Sequence, residues 1–183
     1  GDSVDTAVDR TRTAAEGAAR SAERRLDGPE AFATDLEAWH GGRDVIVLLG
    51  RGPARAATEL GALVLKESGV MAESLESGLF RHGPFELAGP NMSAIVMATE
   101  AETRRLDLGL AADLVDAGSA VMVVTPDGEA PKGARPVATG YLDRALMSAV
   151  GVIPTQLLAW RLAGTRGRTP GAYTRASKVT TRE

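Results

Sequence analysis

The feature that most constrains this chain is a rhythm of short apolar runs separated by helical patterns. "VIVLLG" at residues 45–50 is apolar at every position up to its glycine and is flanked by charge and glycine. Strict alternation of polar and apolar residues would mark a strand with one wet face. A continuous run of this length marks a strand covered on both faces, as in a parallel sheet held between two layers of helices. "SAIVMAT" and "AVMVVTP" are of the same kind, and "EAETRRLDLGLAADLVDAG" between them has helical periodicity. "MAESLE" and "RPVATG" supply two shorter strands. The alternation predicts an α/β fold, a three-layer α/β/α sandwich with a five-stranded parallel sheet.

Ahead of the sheet, Val4, Ala7, Val8, Ala14, Ala15, Ala18, Ala22 and Leu26 recur at helical spacing opposite a charged face, which predicts a long N-terminal helix. Its alanine stripe buries little area per residue but permits close approach to its own domain or a neighbour. "PEAFATDLEAWHGG" predicts a second helix, begun by Pro29 and stopped by Gly41 and Gly42. "PARAATELGALVLKES" predicts a third, with Ala56, Leu60, Leu63 and Val64 inward and Gly69 as its stop. "SAVGVIPTQLLAWRLAGTRG" predicts one closing helix. The expected organisation is linker and packing helices over 1–42, the sheet domain over 43–168 and a polar tail over 169–183.

A chain of 183 residues suits one hydrophobic core. A formal charge of -3 with mixed signs offers no basic surface to nucleic acid. The absence of cysteine excludes disulfides, thiolate metal sites and cysteine nucleophiles. The purely apolar runs fall far short of the roughly 20 residues of a membrane span, and the first residues lack the basic-then-apolar pattern of an export signal. These features predict a cytoplasmic protein with no nucleic-acid and no membrane partner. The sequence opens on Gly1 rather than methionine, so a processed terminus or a longer parent chain is expected.

"LLGRGPARA" joins a strand to a helix N-terminus, where free amide groups attract anions, and Arg51 within it could touch one. Only two glycines match the dinucleotide fingerprint and no GK[ST] follows, which favours a packing or sugar-contact role. A nucleotide site would also want an acidic residue about 20 positions on, near Glu73. Of the two histidines, His40 ends a helix with no partner in view and is assigned no function. His82 lies between Arg81 and Gly83-Pro84, downstream of Lys66 and Glu67 at a helix end.

The ordered set of glycine turn, Glu59, "KES", "AES", "RHGP", "VIPTQLLAWRLA" and "ASKVTTRE" resembles the sugar isomerase (SIS) domain family over most of the chain. The likeness is to the second of the two such domains in the isomerase half of glucosamine-6-phosphate synthase and to related phosphosugar isomerases and deglycases. The resemblance implies a flavodoxin-like domain, the C-terminal half of a two-domain aldose-ketose isomerase, deglycase or aminotransferase acting on amino- or 6-phosphosugars. By the same resemblance Glu67 is the proton-shuttling base, and His82 is the ring-opening acid/base presented near a homodimer interface to the partner's site. Lys178 becomes a polar contact from the tail to the sugar, with Arg51, Lys66 and Ser177 as further substrate-binding candidates. No metal or redox cofactor is implied, because carboxylate and imidazole suffice for such proton transfers.

Three departures stand out. Val64 replaces a second lysine of the synthase pattern, and Leu79 stands where an acidic residue is common. No SxSGxT-type loop, which holds the sugar phosphate in the family's first domain, occurs in this chain. A preceding SIS domain outside this chain is therefore implied. The alternative from a different class is a non-catalytic carbohydrate-derivative-binding or dimerisation module, since a domain can keep its family residues after losing its chemistry.

Overall fold

The computed structural model describes residues 3–172 and Arg175. Strands β1 (Val45–Gly50), β2 (Ala72–Glu76), β3 (Met92–Met97), β4 (Ala120–Thr125) and β5 (Arg135–Ala138) form one five-stranded parallel sheet in the order β2-β1-β3-β4-β5. The three-layer α/β/α architecture expected from the apolar runs is the architecture observed. Alternate side chains of each strand feed two cores, as the pleat requires. Ile46, Leu48, Ile95 and Met97 face one core, which also takes Leu36, Leu65 and Leu158 from the helices. Val47, Leu49, Val96 and Val123 face the other, with Phe80, Leu110 and Leu114.

Helix α1 (Val4–Leu26) begins at Ser3, whose hydroxyl accepts the Thr6 N–H at 3.2 Å. Its C-terminal half packs on the domain through Ala18 and Ser21, whereas Val4 and Val8 in its first half are 79% and 56% exposed. Helix α2 (Pro29–His40) is closed by Gly41 at φ 61°, whose N–H donates to the Glu37 carbonyl at 2.8 Å. Helix α3 (Ala54–Glu67) follows β1, and α5 (Arg104–Asp116) follows β3. Between β2 and β3 the crossover is only the four-residue α4 (Ser77–Phe80) and a 3-10 turn (Pro84–Leu87).

Two expectations are corrected. The closing helix is two helices, α6 (Arg144–Gly151) and α7 (Ile153–Thr165), parted at Val152. Pro154 cannot donate to the preceding turn and its ring crowds the carbonyl four residues back, so the chain restarts a helix with proline in its first turn. The window Leu146–Thr165 is apolar enough on average to cross a membrane, but 61% of it is buried inside the fold.

The second correction concerns the face of α3. The inward residues are Ala54, Ala57, Thr58, Gly61, Ala62 and Leu65, while Ala56 is exposed, Leu60 and Leu63 are 42% and 52% exposed, and Val64 is half-buried. Size explains the inversion. A Cβ added at Gly61 would stand 2.6 Å from Leu48 Cδ2 and 3.0 Å from Thr155 Cγ2. The helix approaches β1 and α7 so closely that small residues must face inward and large ones outward, against the usual ranking.

His40 is fully buried at the end of α2. Its Nδ1 lies 2.9 Å from Ser93 Oγ, and its Nε2 has no hydrogen-bond partner among the described residues. An imidazolium here would carry an unpaired N–H in a dry site. Burial, followed by the charges of Arg166 and Arg43, accordingly lowers its pKa, with Glu37 acting weakly the other way.

Gly61→Ala should destabilise the domain by about 1–3 kcal/mol, because the added methyl meets packed carbon rather than space; chemical denaturation monitors the loss. For His40, the unfolded chain binds a proton near pH 6.5 and the folded chain resists it. Stability should therefore fall as pH drops below about 6.5 toward the lower folded value. His40→Gln should flatten that part of a stability-against-pH curve, whatever it does to stability at neutral pH.

Candidate active site

Helix α3 ends against its own carbonyls. The amides of Ser68, Gly69 and Val70 donate to Val64, Lys66 and Leu65 at 3.1, 2.9 and 3.0 Å, and Gly69 turns the chain at φ 79°. This ending leaves the Glu67 side chain exposed at the rim of a cleft of about 250 Å³. The opposite walls are α7, through Gln156 and Trp160, and the segment after it, through Arg168 and Thr169. Glu67 is thus a solvent-reachable carboxylate with polar and aromatic neighbours. Lys66 points elsewhere, with Nζ 3.5 Å from Glu73 Oε2 in a pair exposed enough to be worth little.

His82 is exposed in the turn after α4, its N–H donating to the Leu79 carbonyl at 3.0 Å. Gly83 follows at φ 115°, a value that favours glycine, and Pro84 opens the 3-10 turn. Phe80 and Phe85 seat this crossover edge-to-face, ring centroids 5.9 Å apart, on the α5 side of the sheet. Arg81 ties it to Asp113 of α5 at 2.6 Å. Glu67 belongs to α3, on the other side. One chain therefore does not bring Glu67 and His82 into the same cleft.

Arg51 is held in a polar knot that the sequence did not reveal. Its Nη1 lies 3.0 Å from Glu76 Oε1 and its Nε 3.2 Å from Asp107 Oδ1, with Asp107 fully buried. The other Glu76 oxygen accepts the Leu79 N–H at 2.8 Å and so caps α4. Burial opposes ionisation of Glu76, but the amides of Gly78 and Leu79 and the charges of Arg51 and Arg55 prevail and hold its carboxyl below its usual value. At Asp107 burial wins and raises the pKa, despite Ser77, Arg51 and Thr103. The difference follows exposure, since Glu76 keeps 25% of its side chain in solvent and Asp107 none. An anion reaching Arg51 would compete with both carboxylates.

At the reversal of strand order between β1 and β3, where open parallel sheets usually bind ligands, the chain places its own charges. Arg144 pairs through Nε with Glu100, which is 4% exposed, and a Cβ on Gly52 in the β1 loop would stand 3.8 Å from Arg144 Nη2. A cleft of about 200 Å³ remains beside this pair. Among the described residues no three histidine or carboxylate side chains group as metal ligands would. Ser177 and Lys178 lie outside the described residues.

Gln156 and Trp160 lay in a motif singled out in the sequence, yet they join Glu67 only through the packing of α7 on α3, about 90 residues along the chain. Arg51→Ala should cost about 3–5 kcal/mol at neutral pH, because it leaves the Asp107 carboxylate buried without its cation. The deficit should shrink as pH falls and Asp107 takes up a proton; denaturation of both forms at several pH values reads this.

No family model matches the chain. It is 31% identical over 153 residues to the glutamine--fructose-6-phosphate aminotransferase [isomerizing] of Thermus thermophilus, covering 81% of this chain and 25% of that protein. It is 32% identical over 166 residues to AgaS of Streptomyces coelicolor, which bears the name of a D-galactosamine-6-phosphate deaminase; 85% of this chain and 43% of that protein are covered. The chain thus spans less than half the length of these relatives. Among solved structures, the C-terminal domain of glucosamine-fructose-6-phosphate aminotransferase from Francisella tularensis superposes with a TM-score of 0.76, at 20% identity over 90% of this chain and 48% of that one. With the sheet order, the ordered motifs and these relatives together, the chain belongs to the sugar isomerase domain family.

Proposed function

We propose that this chain is the second, C-terminal SIS domain of a two-domain cytoplasmic enzyme that processes a phosphosugar as an aldose-ketose isomerase, a deglycase or an aminotransferase. The observation that carries the proposal is the placement of Glu67, an exposed carboxylate at the end of a close-packed helix, facing a small cleft of mixed polar and apolar lining. Moving a carbonyl between adjacent sugar carbons requires a base to take a proton from the carbon beside the carbonyl and return it to its neighbour through an enediol or enolamine. One carboxylate within reach of both carbons performs both transfers. Glu67 is assigned that role.

His82 is assigned ring opening, at the site of another protomer. Its position on the far side of the sheet from Glu67 supports the division, because a sugar in the Glu67 cleft would meet a His82 only from a second chain. Exposed leucines flank it, Leu79 at 60% and Leu87 at 58%, as suits a surface covered in a homodimer. Lys178 and Ser177 remain assigned to the tail's contact with the sugar, whereas Lys66, turned toward Glu73, is given no contact in this cleft.

The partial coverage of both relatives supports a preceding domain, which would supply the phosphate-holding loop missing here. The open first half of α1, carrying Val4 and Val8, is the face offered to it. The reading of a non-catalytic binding or dimerisation module is favoured by one feature: Arg144 and Glu100 pair with each other at this domain's own change of strand order.

In the intact protein Glu67→Gln should lower turnover by roughly 10²–10⁴-fold with substrate binding largely kept. Exchange of the sugar C–H proton into deuterated water should fall in parallel. Unchanged exchange in the variant removes Glu67 as the base.

A further inference from the structure

We infer that Arg168 makes a second contact to the phosphate of the sugar bound in the Glu67 cleft, beside the loop proposed for the preceding domain, so that this domain carries an anion contact of its own. The inference rests on reading that cleft as a phosphosugar site, and it names the residue that recognises the charged end of the ligand.

The local structure fixes where Arg168 sits. Helix α7 ends in paired C-terminal bonds: Gly167, at φ 67°, donates its N–H to the Gly164 carbonyl at 3.0 Å, and Arg168 donates to the Ala163 carbonyl at 2.9 Å. With the backbone held, the side chain crosses to the opposite wall of the cleft. The point a Cβ on Gly69 would occupy is 2.8 Å from Arg168 Cζ, 2.8 Å from Nε and 2.9 Å from Nη2. The guanidinium thus rests on the bare backbone of Gly69, two residues beyond Glu67. Gly69 serves both the turn that ends α3 and the seat for this cation.

The charge of Arg168 is not spent within the domain. Arg51, Arg104, Arg144 and Arg161 each have a carboxylate within ion-pair distance. Among the described residues Arg168 has none, and its guanidinium lies exposed over Gly69. A planar guanidinium is the side chain best matched to two phosphate oxygens at once.

The rest of the cleft selects the ligand. A neutral sugar would leave Arg168 unused, and a molecule anionic at both ends would be repelled by Glu67. A sugar phosphorylated at one end satisfies both, its carbon chain running from Arg168 toward Glu67 past Trp160. Trp160 is 40% exposed and offers an apolar plate to the C–H face of the sugar. The volume, about 250 Å³, is slightly below the usual range of ligand pockets, and it suits a small metabolite better than a dinucleotide.

The test follows the indole N–H resonance of Trp160 by NMR while this chain is titrated with fructose 6-phosphate, fructose and inorganic phosphate. Fructose 6-phosphate and phosphate should shift the resonance at millimolar concentration, and fructose should not. Arg168→Gln should weaken the response roughly 10- to 100-fold, Arg168→Lys should keep part of it, and Glu67→Gln should bind phosphate at least as well as the parent. A response that survives in Arg168→Gln, an equal response to fructose, or no response to fructose 6-phosphate at about 50 mM would overturn the inference. None of these results depends on catalysis, so loss of the Glu67 role would leave the Arg168 contact standing, and the converse holds.

Discussion

The structure depends on how closely α3 lies against β1. Where Gly61 meets Leu48 and Thr155 there is no room for a methyl group, and this contact sets the height and rotation of the helix. Its consequences run outward in order. Small residues take the inner face, α7 packs against the same helix, and the last residue of α3 reaches solvent where α7 and its following segment close a cleft. A larger side chain at position 61 would move Glu67 along with everything attached to the helix. Packing and proposed chemistry are thus linked through one glycine.

The other side of the sheet is organised by charge. The β2 to β3 crossover is too short to form a full helix, and it is fastened by Phe80 in the core, by Glu76 at the start of α4 and by Arg81 on Asp113. Arg51 ties the β1 loop to this arrangement through Glu76 and Asp107, so the loop that resembles a phosphate cradle is committed to holding its neighbours. The crevice above β1 and β3 similarly holds the pair of Arg144 and Glu100. A domain that places internal ion pairs in its usual ligand crevice, while exposing a carboxylate at one helix end and an imidazole on the opposite face, fits the proposal that it completes sites shared with other domains or chains.

Much of this was legible in the sequence, for identifiable reasons. Continuous apolar runs report strands buried on both faces, and "VIVLLG", "SAIVMAT" and "AVMVVTP" became β1, β3 and β4. The span of α1 followed from its stripe. The face of α3 did not, because a glycine contact reverses the rule that larger apolar residues point inward, and sequence periodicity alone cannot show that approach. The break at Val152 was signalled by Pro154 but masked by apolar residues on both sides. Glu67 and His82 were identified by motif and fall on a helix end and a turn, as expected. Arg168 and the Arg51 knot were not identified, since each exists only through contacts between distant segments.

The central claim is that Glu67 and His82 of one chain serve different sites. It is tested most directly by co-expressing, in the intact protein, one subunit carrying Glu67→Gln with one carrying His82→Ala, each inactive alone, and assaying the purified mixed oligomer. Recovered turnover is the predicted result, because one site then combines an intact carboxylate from one chain with an intact imidazole from the other. A verified mixed oligomer with no turnover above either parent would contradict the account.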